Sequence, residues 1–126
     1  MIEILIVDDD EVWLRTLRRA LQRPADWQLT YVSNSTEALA LLAAKHFDVV
    51  VSDFHMPGPD GIAVLHAAGS AIRILATASE LDCDLGAIDL LLAKPFQAAD
   101  LRQTIDLMIG ARAPACESVI GRCRRP

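Results

Sequence analysis

Lysine is scarce in this chain of 126 residues: two stand against ten arginines, and the 12 basic residues are outnumbered by 17 acidic ones, for a formal charge of -5. Nucleic acid and anionic membrane surfaces are therefore not expected partners, because both are bound through clustered cations that displace counterions. Cysteine is sparse too. Cys83, Cys116 and Cys123 are odd in number and form no C-x-x-C pair, so no disulfide framework is expected and a reducing cytoplasm suits them. Nothing at the N-terminus looks like a signal peptide, and no run reaches the roughly 18 to 20 apolar residues of a membrane span. Neither G-x-G-x-x-G nor G-x-x-x-x-G-K-[ST] occurs, which removes the dinucleotide and P-loop readings.

Apolar residues are plentiful, at 52% of a length that suits one domain. Such a chain buries roughly two-thirds of its unfolded surface and needs no staple. The charge is uneven: residues 1–110 hold 8 basic and 16 acidic side chains, whereas 111–126 hold four arginines and one glutamate. This divides the chain into a domain over 1–110 and a basic tail or linker over 111–126.

Short apolar runs alternate with longer segments of helical period, the pattern of βα units around a parallel sheet. Five strands are expected: Ile2 to Val7, Trp27 to Val32, Phe47 to Ser52, Ile72 to Ala78 and Ile88 to Ala93. The third is a continuous β-branched run and should be central, buried on both faces. Helices are expected from Glu11 to Arg23, with Val12, Leu14, Leu17, Ala20 and Leu21 on the apolar stripe and Pro24 as its stop, and from Asn34 to Lys45. In the latter, Asn34 with Glu37 forms a capping pattern. Two more follow, from Gly61 to Ala68 after the turn Pro57 to Gly61, and from Ala98 to Ile109. Residues 79–87 leave room for only one or two helical turns, so a fourth crossover helix should be shortened or irregular.

In an open parallel sheet, ligands gather at the carboxyl ends of the strands. Asp8, Asp9 and Asp10 follow the first strand, Asp53 the third, Thr77 and Ser79 close the fourth, and Lys94 follows the fifth. Three carboxylates at one edge repel unless a cation sits among them, and hard oxygen ligands favour Mg²⁺. A hydroxyl, an ammonium and a divalent ion around a central carboxylate suit a phosphoryl group, with Asp53 as covalent acceptor. Each residue also has an ordinary role. Asp8 to Asp10 are good helix caps, Asp53 precedes a turn, and Thr77 and Lys94 are normal strand residues.

The order of ILIVDDDE, VVVSDFHMPGPDG, ILATAS and LLLAKPF resembles the receiver domain of bacterial two-component response regulators, over about residues 2–110. The resemblance implies a doubly wound, flavodoxin-like sheet of order 2-1-3-4-5, with the first and last helices on one face. It implies Asp53 as phosphoacceptor, Mg²⁺ held directly by Asp9 and Asp53, by Asp8 through a water and by the main-chain carbonyl of His55. Thr77 and Lys94 would contact phosphoryl oxygens, and Lys94-Pro95 would be cis. The donor would be a sensor histidine kinase or a phosphotransfer protein. The domain would not be an enzyme in the ordinary sense, but would catalyse its own phosphorylation and slow hydrolysis, with His55 and Ser79 flanking the attack path and giving a long-lived phosphoryl state. A homodimer is open.

Two departures stand out: Thr77 and Lys94 are only 17 residues apart, and Leu91 replaces the usual aromatic residue three before the lysine. They motivate an alternative, a receiver-like interaction module that works without phosphorylation. A haloacid-dehalogenase-type phosphatase would use Asp8-x-Asp10, but it leaves Asp53 to Pro57 without a role. His46 and His66 read as surface residues, the two C-terminal cysteines as free thiols, and Arg122, Arg124 and Arg125 as a solvated cluster.

Overall fold

The structure is a computed structural model, and it describes residues 1–21, 23–78, 86 and 88–112. Five parallel strands form one sheet, β1 (Ile2–Val7), β2 (Trp27–Val32), β3 (Val49–Asp53), β4 (Ile72–Thr77) and β5 (Leu90–Ala93), in the order β2-β1-β3-β4-β5. This is the flavodoxin-like order expected. The helices are α1 (Glu11–Ala20), α2 (Ser35–Ala44), α3 (Gly61–His66) and α4 (Ala98–Arg112).

Alternation along the strands divides the core. Ile4, Ile6, Val49, Val51, Ile72 and Ile74 meet Leu14 and Leu17 of α1 and Leu101, Ile105 and Met108 of α4. Leu5, Val7, Val50 and Leu75 turn to the opposite face, against Ala38 of α2 and Val64 and Leu65 of α3. All five residues of β3 are buried, as befits the centre of a sheet covered on both sides. β1, β3 and β4 therefore end at a rim with a helix layer on either face, with β5 alongside β4, so the polar residues beyond the apolar runs collect there.

Several boundaries differ from the sequence reading. α1 ends at Ala20, because Leu21 turns extended (φ -76°, ψ 111°) and drops into the core at 7% exposure. Val12 and Ala20 do not join the apolar stripe: Ala20 is exposed at the last helical position, and Val12 is 63% exposed because it lies round the cylinder from the buried Leu14 and Leu17. Phe47 and Ile88 are buried but stand outside the ladder, so β3 and β5 start two residues later. α3 is two residues shorter, closing at Ala67. α4 passes Gly110 to Arg112 because Met108 and Ala111 continue its buried face.

The expected short crossover falls on residues 79–87, of which only Gly86 is described, and the tail beyond Arg112 also lies outside the described residues. Among the described residues, no helix is long and apolar enough to cross a membrane.

Candidate functional site

Three consecutive aspartates follow β1, and local hydrogen bonding gives them different tasks. Asp10 is the N-cap of α1, its carboxylate accepting from the Trp13 amide at 3.1 Å, where an anion satisfies an orphan donor and faces the helix dipole. Asp8 is 4% exposed and uses both oxygens: Oδ1 accepts from the Asp10 amide at 2.9 Å and Oδ2 from Lys94 Nζ at 3.0 Å. Asp9, between them, is exposed. Capping thus consumes one carboxylate and leaves two at the rim.

Asp53 is the last residue of β3, paired with Ala76 of β4. Its main chain is held from two sides. Ser52 Oγ, fully buried after three valines, donates to the Asp53 carbonyl at 2.9 Å. Gly61 packs on the same carbonyl so closely that a Cβ there would lie 2.3 Å from it and 2.9 Å from Phe54 Cα. The Gly61 amide then donates to the Phe54 carbonyl at 3.0 Å. The loop Pro57 to Gly61 turns as its sequence requires, with Gly58 at φ 77° and Asp60 capping α3 through the Ala63 amide.

Lys94 reaches in from the end of β5. Its amide donates to the Thr77 carbonyl at 2.9 Å, and its ammonium bridges Asp8 Oδ2 and Asp53 Oδ1, each at 3.0 Å. The Lys94-Pro95 peptide is cis, and Phe96 beyond it meets Trp13 edge to face at 5.5 Å. Thr77 is 3% exposed and stands one residue past the β4 partner of Asp53. His55 is exposed on the loop after Asp53, its ring 4.6 Å from that of Phe54. Ser79 lies outside the described residues.

One oxygen from each of Asp8, Asp9 and Asp53 lies within 4.8 Å of the others, a spacing that lets three oxygen ligands converge on one hard cation. With all three ionised, the single ammonium leaves two negative charges unbalanced. Burial pushes the Asp53 carboxyl above its ordinary pKa, Asp8 and Asp9 push the same way, and Lys94 opposes them. For Lys94, burial pulls the pKa down, but the hydrogen bonds to Asp8 and Asp53 and their charges outweigh it and hold the ammonium above its usual value. The donor set, its surplus charge and its half-sheltered position fit a divalent ion.

The fold and this rim define a doubly wound α/β domain carrying an acidic cluster and a lysine at the carboxyl ends of its strands. The family model for the response regulator receiver domain matches residues 4–106, and the chain belongs to that family. It is 33% identical over 120 residues to the two-component response regulator ORR21 of Oryza sativa subsp. japonica, which covers 94% of this chain but 14% of that protein. It is 38% identical over 103 residues to the DNA-binding transcriptional regulator NtrC of Salmonella typhimurium, covering 74% of this chain and 22% of that one. The chain therefore spans a small part of these longer relatives. Among solved structures, a CheY-like receiver domain protein from Methanospirillum hungatei JF-1 superposes with a TM-score of 0.77 at 24% identity, over 87% of this chain and 94% of that one, which bears on the fold.

The structure brings Asp8, Asp9, Asp53 and Lys94 together and sets Thr77 and His55 on the adjoining strand end and loop. The brace from Ser52 was not anticipated from sequence. Its signal was there: a lone hydroxyl closing a valine run immediately before the central aspartate.

Proposed function

We propose that Asp53 accepts a phosphoryl group from the phosphohistidine of a sensor histidine kinase or phosphotransfer protein, and that the domain thereby switches a protein-interaction surface. The observation that carries this is the Lys94 ammonium bridging Asp8 and Asp53 at 3.0 Å beside Asp9. In the reaction a bond forms between an Asp53 carboxylate oxygen and phosphorus while the phosphorus–nitrogen bond breaks. The electron pair leaves on the imidazole nitrogen, which takes up a proton. Lys94 and the Thr77 hydroxyl hold the phosphoryl oxygens, the same groups catalyse transfer within the domain, and no separate active site is required.

Asp9 and Asp53 would hold magnesium directly, Asp8 would act through a water and the His55 carbonyl would complete the protein set. Such an ion would supply neutralisation of charge on the phosphoryl oxygens. The receiver unit of 1–110, a cytoplasmic setting, and a further output partner or domain belong to the same reading. His55 and Ser79 bring neither an amide nor a carboxylate to the attack path, which favours a long-lived acyl phosphate.

Leu91, 38% exposed where the family usually carries a ring, favours a second reading, an interaction module that works without phosphorylation. Intact mass after incubation with Mg²⁺ and acetyl phosphate separates the two. The phosphoacceptor reading expects a gain of about 80 Da, the mass of one phosphoryl group replacing a proton, in the wild type and not in Asp53→Asn. No adduct, together with no stabilisation by Mg²⁺ and beryllofluoride, establishes the second reading instead.

A further inference from the structure

The cations of this acidic domain fall into two groups. Lys45, Arg73, Lys94 and Arg102 each lie within 4.0 Å of a carboxylate. Arg15, Arg18, Arg19 and Arg23, on α1 and just beyond it, are all exposed and form no ion pair with a described carboxylate. Two of the four are nevertheless fixed in place. Arg23 Nη1 donates to the Trp27 carbonyl at 2.8 Å, and the Arg18 guanidinium stacks 4.8 Å from the centre of the Tyr31 ring. Both line one cleft of about 210 Å³ between the end of α1 and edge strand β2, completed by Gln28, Tyr31, Leu21 and Leu29. Glu11 and Glu37 border a separate depression on the other side of Arg18 and pair with neither guanidinium.

Guanidinium groups held by a carbonyl and an aromatic face, rather than by carboxylates, keep their charge and most of their donors for a ligand. The phenol of Tyr31 stays a neutral donor: burial raises its pKa against the pull of the same two arginines. The cleft is smaller than the several hundred Å³ of sites for drug-sized molecules, which suits a compact ion. We propose that this cleft binds a compact dianion, the phosphate of a small phosphorylated metabolite, between Arg18 and Arg23, with Gln28 and Tyr31 as further donors. The site is independent of Asp53: it lies along the sheet edge and shares no residue with the aspartate cluster.

The test is a titration of the metal-free chain with inorganic phosphate and, separately, glycerol 3-phosphate, followed by amide and arginine Nε nuclear magnetic resonance shifts. Saturable shifts at Arg18, Arg23, Gln28 and Tyr31 are expected, weakened at least tenfold by Arg18→Gln and unchanged by Arg19→Gln or Asp53→Asn. Because Arg23 also braces Trp27, Arg18→Gln is the decisive variant and Arg23→Gln the second. Saturation by glycerol 3-phosphate at lower concentration than by phosphate identifies an ester as ligand; the reverse order identifies the free ion. Linear, unsaturated shifts, or shifts of equal size at Arg15 and Arg19, overturn the proposal in favour of general attraction of anions to a basic face. Loss of binding in Asp53→Asn overturns it as well, by placing the anion at the aspartate cluster.

Discussion

Replacing the central carboxylate should make the metal-free domain more stable. In Asp53→Asn the side chain keeps its shape and loses its charge. Oxygens of Asp8 and Asp9 lie within 4.8 Å, and at an effective dielectric of about 20 each repulsion is worth about 3.5 kcal/mol. Against this stands the attraction of Lys94 at 3.0 Å, about 5.5 kcal/mol on the same scale. On charge alone these nearly cancel, and the hydrogen bond from Lys94 tips them toward attraction, so the gain comes from no longer burying a charge, the largest of the effects on Asp53. The net gain is about 1 to 2 kcal/mol, which raises the melting temperature of a domain this size by roughly 3 to 8 °C.

The sign follows from the titration. The folded-state pKa of Asp53 is raised above 3.8, so the folded protein binds this proton more tightly than the unfolded chain does. The penalty is absent below 3.8, grows as pH rises, and is complete above the folded value. The advantage of Asp53→Asn should therefore be full near neutrality and vanish in acid. Mg²⁺ should reverse the order, since a ligand at 100 times its dissociation constant adds about 2.7 kcal/mol and only the wild type holds it well. Thermal melts with EDTA or Mg²⁺, at neutral and acid pH, supply the comparison. A lower melting temperature for Asp53→Asn in EDTA at neutral pH would refute the reasoning, because it would mean that Lys94 outweighs the burial of the charge and both aspartates together.

Lys94→Met should cost roughly 2 to 4 kcal/mol in urea melts of the metal-free protein, since it leaves two close carboxylates without their cation, and it should abolish any stabilisation by beryllofluoride. Gly61→Ala forces a Cβ to 2.3 Å from the Asp53 carbonyl, so a loss of several kcal/mol is expected, with a slower gain of phosphoryl mass in whatever fraction folds. Leu65→Ala, which empties a fully buried position beneath α3, should cost about 2 to 5 kcal/mol by the same melts without changing the mass adduct.

Much of this architecture was legible because its signals are strong and local. The valine run of β3, the alternation of β2 and the Asn34 cap each have one cheap physical reading, and the polar residues after each apolar run mark the rim. Other features depend on tertiary partners that the sequence does not display. Asp8, Asp9 and Asp10 are chemically identical, and only the placement of the α1 amides decides that Asp10 caps while Asp8 faces Lys94. Val12 is as apolar as Leu14, yet the face that meets the sheet excludes it. Leu21 shows the reverse: its burial ends α1 before the proline does. The arginines of α1 were equally visible as residues, but whether each had a carboxylate within reach was a matter of geometry.

The bond between Asp8 and Lys94 joins residues 86 apart in the chain, across two intervening strands of the sheet. During synthesis the aspartates leave the ribosome early and Lys94 among the last residues of the domain. Until then the rim carboxylates lack that counter-charge, so the finished sheet and the only ammonium described at the rim arrive together. A chain short of β5 lacks the one cation that meets Asp8 and Asp53, so the arrangement of the rim is a property of the finished sheet rather than of any part of it.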